Sequence, residues 1–274
     1  MDEYSVNFSE TFKAERMYIA KILRIAADDK GHGLTKDDIS SMTGIPTGES
    51  SGKVVPHLKY ASFMGLVNYQ LNNKVYDISI TTLGNKIYKE DPCLYDEISL
   101  LLCHCMMTRV APMWKESFRG IISKYHNDID KEQLTRELKC TYKESITSKN
   151  LTPFIGTYKD GMFAPLNLFE YDKNTIKFSG CHINEEYIYL YAYILWRIWD
   201  DKFKYSQCDE LTAIEIAELN YGDIFGWTSI NEYNVLDIMA SKELIRMNRQ
   251  LEPYTVRRLV SEDFLLNRMY CDLL

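Results

Sequence analysis

The chain has 274 residues and a net charge of −7, with 46% hydrophobic and 26% charged side chains. These proportions are typical of a globular protein and exclude a disordered chain, a collagen-like fibre and a small disulfide-stapled scaffold. Glycine and proline are scarce, at 13 and 7 residues, which favours helices over a turn-rich β-sandwich. The 7 cysteines are scattered, so we expect reduced thiols and a cytoplasmic location.

Charge and hydropathy also limit what the chain can bind. The most apolar stretch, Tyr187 to Trp199, contains Arg197 and is shorter than the roughly 20 residues of a membrane span. The acidic N-terminus lacks an apolar segment, so we expect neither a signal peptide nor a membrane contact. Residues 91–239 carry 23 acidic and 15 basic side chains, whereas residues 1–90 carry 11 of each. A nucleic-acid contact must therefore rest on a local basic patch near one end.

The first 90 residues predict the element order of a winged helix-turn-helix. Apolar residues recur at helical spacing from Phe12 to Ala27, with Met17 counted on the apolar face. A capping box at Thr35 begins a short helix, which ends before Gly44. A longer helix follows over about 51–64, although Pro56 makes its first turn irregular or its start late.

Two runs of strand-type residues, Val67–Leu71 and Val75–Ile80, flank Asn72-Asn73 and predict the two-stranded wing. If this module binds duplex DNA, the helix over 51–64 lies in the major groove and the wing tip reaches a phosphate or the minor groove. The candidate contacts are Ser50, Ser51, Lys53, His57, Lys59 and Lys74. The alternative is a protein-interaction or architectural winged helix, because the module is neutral rather than basic.

The C-terminal segment predicts a second module of the same kind. Capping boxes at Thr212 and Ser229 begin two helices, and strands follow at Leu244–Met247 and Thr255–Leu259 around Pro253. The only dense arginine cluster of the sequence lies here and adds further candidate DNA contacts: Arg246, Arg249, Arg257 and Arg258. The alternative is a solvated strand pair with scattered ion pairs.

Between these modules the sequence predicts an acidic, helical middle region. Helices are expected over about 94–107, 114–125 and 130–139, and a buried apolar helix over 185–199. Prolines and glycines interrupt residues 150–176, where we expect loops and short strands. The predicted fold class is mainly α (α+β), with winged helix-turn-helix modules at both ends flanking a helical middle. The predicted domains are residues 1–90, 91–205 and 206–274.

Motifs that would carry catalysis are weak or missing. The segment Gly48 to Lys53 resembles a phosphate-binding loop, but its spacing fails and Val54 replaces the hydroxyl that binds magnesium. Cys103-His104-Cys105 and Cys181-His182 lack the spacing of a zinc site, so buried thiols and a satisfied core histidine are favoured. No H-E-x-x-H, G-x-S-x-G or G-x-G-x-x-G motif occurs. We therefore expect no enzyme activity, no cofactor and no metal site.

A series of short motifs lies along nearly the whole chain. They are Phe8-Ser9-Glu10-Thr11-Phe12 with Arg16 and Lys21, Gly52-Lys53-Val54-Val55, Thr82-Leu83-Gly84, Asp91-Pro92-Cys93-Leu94, Leu101-Leu102-Cys103-His104, Trp114, Phe118, Leu134, Thr157-Tyr158 and Leu259. Their order and spacing resemble a bacterial family catalogued as domain of unknown function number 4007. Two places depart from that family: Phe8-Ser9 replaces a usual Gly-His pair, and Cys93 replaces a usual aromatic residue.

This resemblance implies an association rather than a mechanism. Members of the family typically sit in bacterial defence gene clusters of the DNA-phosphorothioation type, beside a phosphoadenosine-phosphosulfate-reductase-like protein. The resemblance implies no catalytic residues. It favours a non-catalytic DNA-binding or adaptor subunit whose partners are double-stranded DNA and that reductase-like protein or another defence protein.

Three other hypotheses remain open from the sequence. The first is an interaction scaffold that binds the reductase-like protein without touching DNA. The second is a transcriptional regulator of the defence operon, which would be a symmetric dimer on a palindromic site. The third is a nuclease, which would need carboxylates converging on a metal ion.

Overall fold

Helices dominate the structure, and three small antiparallel sheets lie among them, so the fold is mainly α within an α+β class. The computed structural model describes residues 5–48, 52–125, 128–142, 146–203, 209–250 and 252–271. Within those ranges, no helix is long and apolar enough to cross a membrane.

The N-terminal segment follows the predicted order of elements. It contains α1 (Arg16–Ala27), α2 (Lys36–Thr43), α3 (Val54–Phe63), β1 (Val67–Asn72), β2 (Val75–Ile80) and α4 (Thr82–Glu90). The capping box at Thr35 is confirmed, with Asp38 as its second member, and Gly44 ends α2 at a φ of 68°. The two strands pair antiparallel from Val67–Ile80 to Asn72–Val75, which confirms the predicted hairpin.

The first helix begins later than predicted because the backbone before it is bonded to another segment. The Ala14 N–H donates to Thr157 Oγ1 at 3.0 Å, and the Ala14 carbonyl accepts from the Met162 N–H at 2.9 Å. A helix through Ala14 would have to give up these bonds inside the protein. The placement of Met17 on the apolar face is also wrong, since its side chain is 59% exposed.

The middle segment departs most from the prediction. It contains α5 (Glu97–Val110), α6 (Pro112–Glu116), β3 (Asp128–Asp130), α7 (Lys131–Tyr142), α8 (Leu151–Lys159), β4 (Phe169–Asp172), β5 (Thr175–Phe178) and α9 (Ile188–Phe203). The helix α8 replaces an expected loop, because Pro153 lies in its first turn, where a missing N–H costs no hydrogen bond. The helix expected over 114–125 changes at Ser117–Ile121 into a π-helical turn.

The C-terminal segment contains β6 (Glu210–Thr212), α10 (Ala213–Ala217), α11 (Ser229–Ser241), β7 (Ile245–Asn248), β8 (Thr255–Arg258) and α12 (Glu262–Arg268). The capping box at Thr212 is confirmed. The second box lies one residue earlier than predicted, between Thr228 and Asn231, because an asparagine oxygen there accepts from the cap as a glutamate would. The strand β6 was not predicted, since three residues are too few to show an alternating pattern.

One contiguous apolar cluster runs through all three segments, from Val6 to Tyr270. The helix α9 contributes the largest part of it, which confirms the predicted buried apolar helix. The last helix, α12, packs against both α9 and α4. Beyond it, the Tyr270 hydroxyl lies 2.9 Å from Ser99 Oγ on α5. The two ends of the chain are therefore packed on the middle, and the boundaries near 90 and 205 stay a prediction.

A fully buried histidine lies at the centre of this core. Tyr158 donates its hydroxyl hydrogen to His104 Nδ1 at 2.8 Å, and His104 Nε2 donates to the Ile224 carbonyl at 3.2 Å. Both ring nitrogens are thus occupied, and the neighbouring Cys103 and Cys105 are buried free thiols. This arrangement is that of a satisfied core histidine, as the sequence favoured over a zinc ligand.

Burial lowers the pKa of His104 to about 4. Because an unfolded histidine has a pKa of about 6.5, the folded state binds fewer protons between these values, and stability falls as the pH falls. We expect a loss of about 3 kcal/mol between about pH 7 and about pH 4 from this residue alone. Urea denaturation across that range should show a shallower pH dependence for His104→Gln. His32→Gln, the same substitution at an exposed histidine, is measured in parallel as the control.

Candidate nucleic-acid interface

The helix α3, proposed to lie in the major groove, has a narrow accessible face. Seven of its 10 residues are buried, and the half-buried positions are Val55, Lys59 and Ser62. These positions are spaced four and three residues apart, so they share one side of the helix. Lys59 is the cation on that side, and no described acidic residue forms an ion pair with it.

Lys53, by contrast, is held in an ion pair with a neighbouring acidic side chain. Its Nζ lies 2.6 Å from Glu15 Oε1, and each of the two side chains is about 30% exposed. The hydrogen bond to Glu15 raises the pKa of Lys53. The ammonium also lies 5.3 Å from the centre of the Tyr18 ring. Lys53 therefore ties the N-terminus of α3 to the start of α1.

His57 belongs to the same connection. The Glu15 N–H donates to His57 Nε2 at 3.2 Å, and His57 Nδ1 donates to the Lys53 carbonyl at 2.7 Å. The side chain is fully buried, and burial lowers its pKa. A side chain without exposed surface cannot touch DNA in this conformation, so His57 is removed from the predicted interface.

Close backbone contacts fix the two residues immediately before α3. A Cβ at Gly52 would lie 2.8 Å from Thr47 Cα, so only glycine fits there. The Lys53 N–H donates to the Pro46 carbonyl at 2.8 Å. Ser50 and Ser51, two of the predicted contacts, lie outside the described residues.

Lys74 is exposed at the tip of the β1–β2 hairpin. The strands pair as far as Asn72 and Val75, which leaves Asn73 and Lys74 as a two-residue turn. Both turn residues have positive φ, 51° and 68°, as a type I′ turn requires. The turn therefore lies one residue later than the expected Asn72-Asn73 pair.

Two of the four arginines in the C-terminal cluster are held in ion pairs. Arg249 is engaged by Asp237 and by the hydroxyl of Tyr233 at 3.1 Å. Arg258 pairs with Asp200 at 2.6 Å and with Asp209 at 3.3 Å, and its side chain is 15% exposed. For these two arginines, the alternative of scattered ion pairs describes the surface better than a DNA contact.

Arg246 and Arg257 are the two other arginines of this cluster. The register of β7 and β8 places them directly opposite each other, and both are exposed. Within the described ranges, neither is joined to an acidic residue by an ion pair. Two like charges in this position repel, and Glu210, which lies opposite Arg257 on the other neighbouring strand, offsets part of that repulsion.

Sequence reasoning overlooked a further charged surface on α1. This helix contains Arg16, Lys21 and Arg24 but no acidic residue, and Met17 lies exposed among them. The signal was present, because three cations without an acid are unusual in a chain with a net charge of −7. It was missed because Met17 was assigned to the core.

Comparison with known proteins identifies the fold but not the family. No protein-family model matches the chain, and no curated protein matches it by sequence. The structure is similar to crystal structures of SspB, one of them with bound magnesium ion, at a TM-score of 0.72 and 14% identity. Each comparison covers 96% of this chain and 86% of the SspB chain. The chain thus has the fold of SspB over nearly its whole length.

Among the residues that the structure describes, no three side chains of histidine, cysteine, aspartate or glutamate lie together as metal ligands would.

The free energy of unfolding tests which candidate side chains are buried in the fold and which are accessible. We expect His57→Ala to lower the free energy of unfolding by about 2–4 kcal/mol, because it leaves the Glu15 N–H unpaired and opens a cavity. Lys59→Ala should change it by no more than about 0.5 kcal/mol. Urea denaturation at neutral pH measures both. Equal losses for the two variants would contradict the assignment of Lys59 as an accessible side chain.

Proposed function

We propose that this chain is a non-catalytic DNA-binding or adaptor subunit of a bacterial DNA-phosphorothioation or phage-defence system. In this proposal both terminal segments are winged helices that touch duplex DNA. The contacts come from Lys59 and Lys74 in the first segment and from Arg246 and Arg257 in the second. The observation that carries the DNA contact is the exposed arginine pair on the C-terminal sheet.

Two adjacent guanidinium groups favour an anionic ligand, although Arg257 also faces Glu210 on β6 across the sheet. A phosphate group between Arg246 and Arg257 would replace their repulsion by charge-assisted hydrogen bonds, since each planar guanidinium presents a fork to phosphate oxygens. Both side chains lie on the exposed face of the sheet, where a DNA backbone can reach them. The acidic net charge of the chain makes such a local site necessary for any DNA contact.

Lys74 supports the same function from the other end of the chain. A residue with a Cβ at positive φ is strained by about 1 kcal/mol relative to glycine. A lysine at the tip of the hairpin is therefore not the choice that stability alone favours. Its exposed ammonium group suits a phosphate contact by the wing.

The defence context rests on the motifs that resemble the phosphorothioation-associated family. The fold shared with SspB spans nearly the whole chain. The phosphoadenosine-phosphosulfate-reductase-like protein is the partner that this context proposes. The acidic middle segment offers the surface on which such a partner would dock.

A second candidate function is a scaffold that binds proteins and never touches DNA. The burial of α3 favours it, because a helix that enters the major groove needs a free face with several side chains. The ion pair of Lys53 and the burial of His57 point the same way. The two functions differ in whether duplex DNA binds to the protein, alone or with its partner.

The arginine pair gives the direct test of the first function. We expect the double variant Arg246→Ala, Arg257→Ala to weaken binding of a fluorescein-labelled duplex and to reduce the salt dependence by about two units of log K per log salt. Fluorescence anisotropy between about 50 mM and about 200 mM salt measures both quantities. Arg136→Ala, on the exposed side of α7, is the matched control and should change neither.

The same double variant has a second readout. The variant removes both the repulsion between the two arginines and the attraction between Arg257 and Glu210, so the free energy of unfolding should change by no more than about 0.5 kcal/mol. The protein alone, or with the reductase-like partner, should bind the duplex at about 50 mM salt. Absence of any affinity under both conditions would leave the scaffold as the better function.

The wing gives an independent prediction. Lys74→Gly relieves the strain at positive φ, so we expect the free energy of unfolding to stay within about 1 kcal/mol of the parent. The same change should weaken duplex binding and lower the salt dependence by about one unit. Unfolding in urea and anisotropy with the labelled duplex measure the two effects. An unchanged affinity would remove the wing from the interface.

A further inference from the structure

A groove with an apolar floor and a cationic rim runs along the outer face of α1. It has a volume of about 470 Å³ and lies between α1, the end of α4 and the turn that follows α4. Its principal side chains are Arg16, Met17, Lys21, Arg24, Tyr88 and Tyr95. The α1 residues among them face away from the side that α1 buries, which carries Ile19, Ile22 and Leu23.

The floor of the groove exposes apolar surface that the fold itself does not use. Met17 is 59% exposed and Tyr95 is 69% exposed, among the highest values for large apolar side chains in the described residues. Single exposed apolar residues are ordinary, but two that line one concave surface indicate a binding site. Methionine in particular adapts its shape to different apolar partners.

The rim of the groove is positively charged. Arg16 stacks on Tyr95, with its guanidinium carbon 3.4 Å from the ring centre, and thereby covers one face of the ring. Arg24 is 73% exposed, and its nearest acidic atom, on Asp28, is 3.9 Å away. Lys21 contributes a third cation to the same side of α1.

We propose that this groove binds an acidic peptide segment of a partner protein, with an apolar side chain of the peptide seated on Met17 and Tyr95. Carboxylates of the peptide face Lys21 and Arg24, which complements the charge of the rim. An apolar anchor distinguishes this occupant from DNA, whose backbone offers charge without a large apolar side chain. The inference rests on the adaptor half of the proposed function and is independent of the DNA contact.

A display experiment on the full-length protein tests the occupant. A phage library of random dodecapeptides is selected on the immobilised protein, and the most enriched peptide is then synthesised with a fluorescent label. We expect enriched peptides to be acidic and to contain at least one aromatic or large aliphatic residue. Their Kd, measured by anisotropy, should rise by about tenfold or more for Met17→Glu and for Arg24→Glu.

Matched controls separate the groove from general effects of charge. Ile230→Glu places the same change at an exposed apolar position on α11, and Arg136→Glu reverses a cation on α7. Both should keep the parent Kd for the peptide. All four variants sit on exposed helix faces, and urea denaturation should show that they unfold at parent urea concentrations, within about half a molar.

Four results of the peptide and self-association measurements would each overturn the proposal, and a fifth comes from duplex binding. They are the absence of enriched peptides, enrichment of basic or neutral peptides, binding that the groove variants leave unchanged, and self-association of the protein that the groove variants abolish. Duplex affinity, measured on the same variants, should equal that of the parent. A loss of duplex affinity in Met17→Glu would assign the groove to DNA and overturn the peptide site. If the unmodified protein does not bind the duplex, the result for peptide binding still stands.

Discussion

The two hydrogen bonds of His104 constrain how the middle and C-terminal segments of the chain are assembled. The ring lies on α5 and is fully buried, with Tyr158 of α8 on one side and the Ile224 carbonyl of the C-terminal segment on the other. Loss of either bond would leave a buried polar atom unpaired, which costs about 1–3 kcal/mol. The three elements must therefore keep their relative positions, and the packing around α9 builds on this arrangement.

Local ion pairs separate the engaged cations from the accessible ones. Asp201 of α9 pairs with Arg109, and Asp200 of α9 pairs with Arg258. Lys74 and Arg257 form no ion pair with a described acidic residue and stay exposed. An acidic protein can thus keep local basic sites at its ends, because its ion pairs are made over short distances and surrounding salt screens the rest.

The accessible cations occupy separate surfaces with different chemistry. The hairpin tip and the C-terminal sheet present exposed cations, which suit a phosphate backbone. The outer face of α1 joins charge to Met17 and Tyr95, which suits a protein partner. An adaptor needs such a division, because two ligands that share one surface would compete rather than assemble.

Local features were largely predictable. The capping boxes at Thr35 and Thr212, the hairpin over residues 67–80 and the apolar helix that became α9 depend on neighbours a few residues apart. The helix α8 was missed because Pro153 and Gly156 resemble loop residues unless their place in the turn is known. The start of α1 was missed because Ala14 bonds to residues 143 and more positions away.

The sequence by itself determined the helices and the hairpin of the first segment, the capping boxes at Thr35 and Thr212 and the sign of the charge in each segment, since these follow from local spacing and composition. The tertiary structure alone decided which candidate side chains are accessible. Lys53 and Lys59 lie six positions apart on or beside one helix, yet one is paired with Glu15 and the other is not. The reason is physical: an ion pair depends on a separation of a few ångströms in space, and residues distant in the chain supply the second charge.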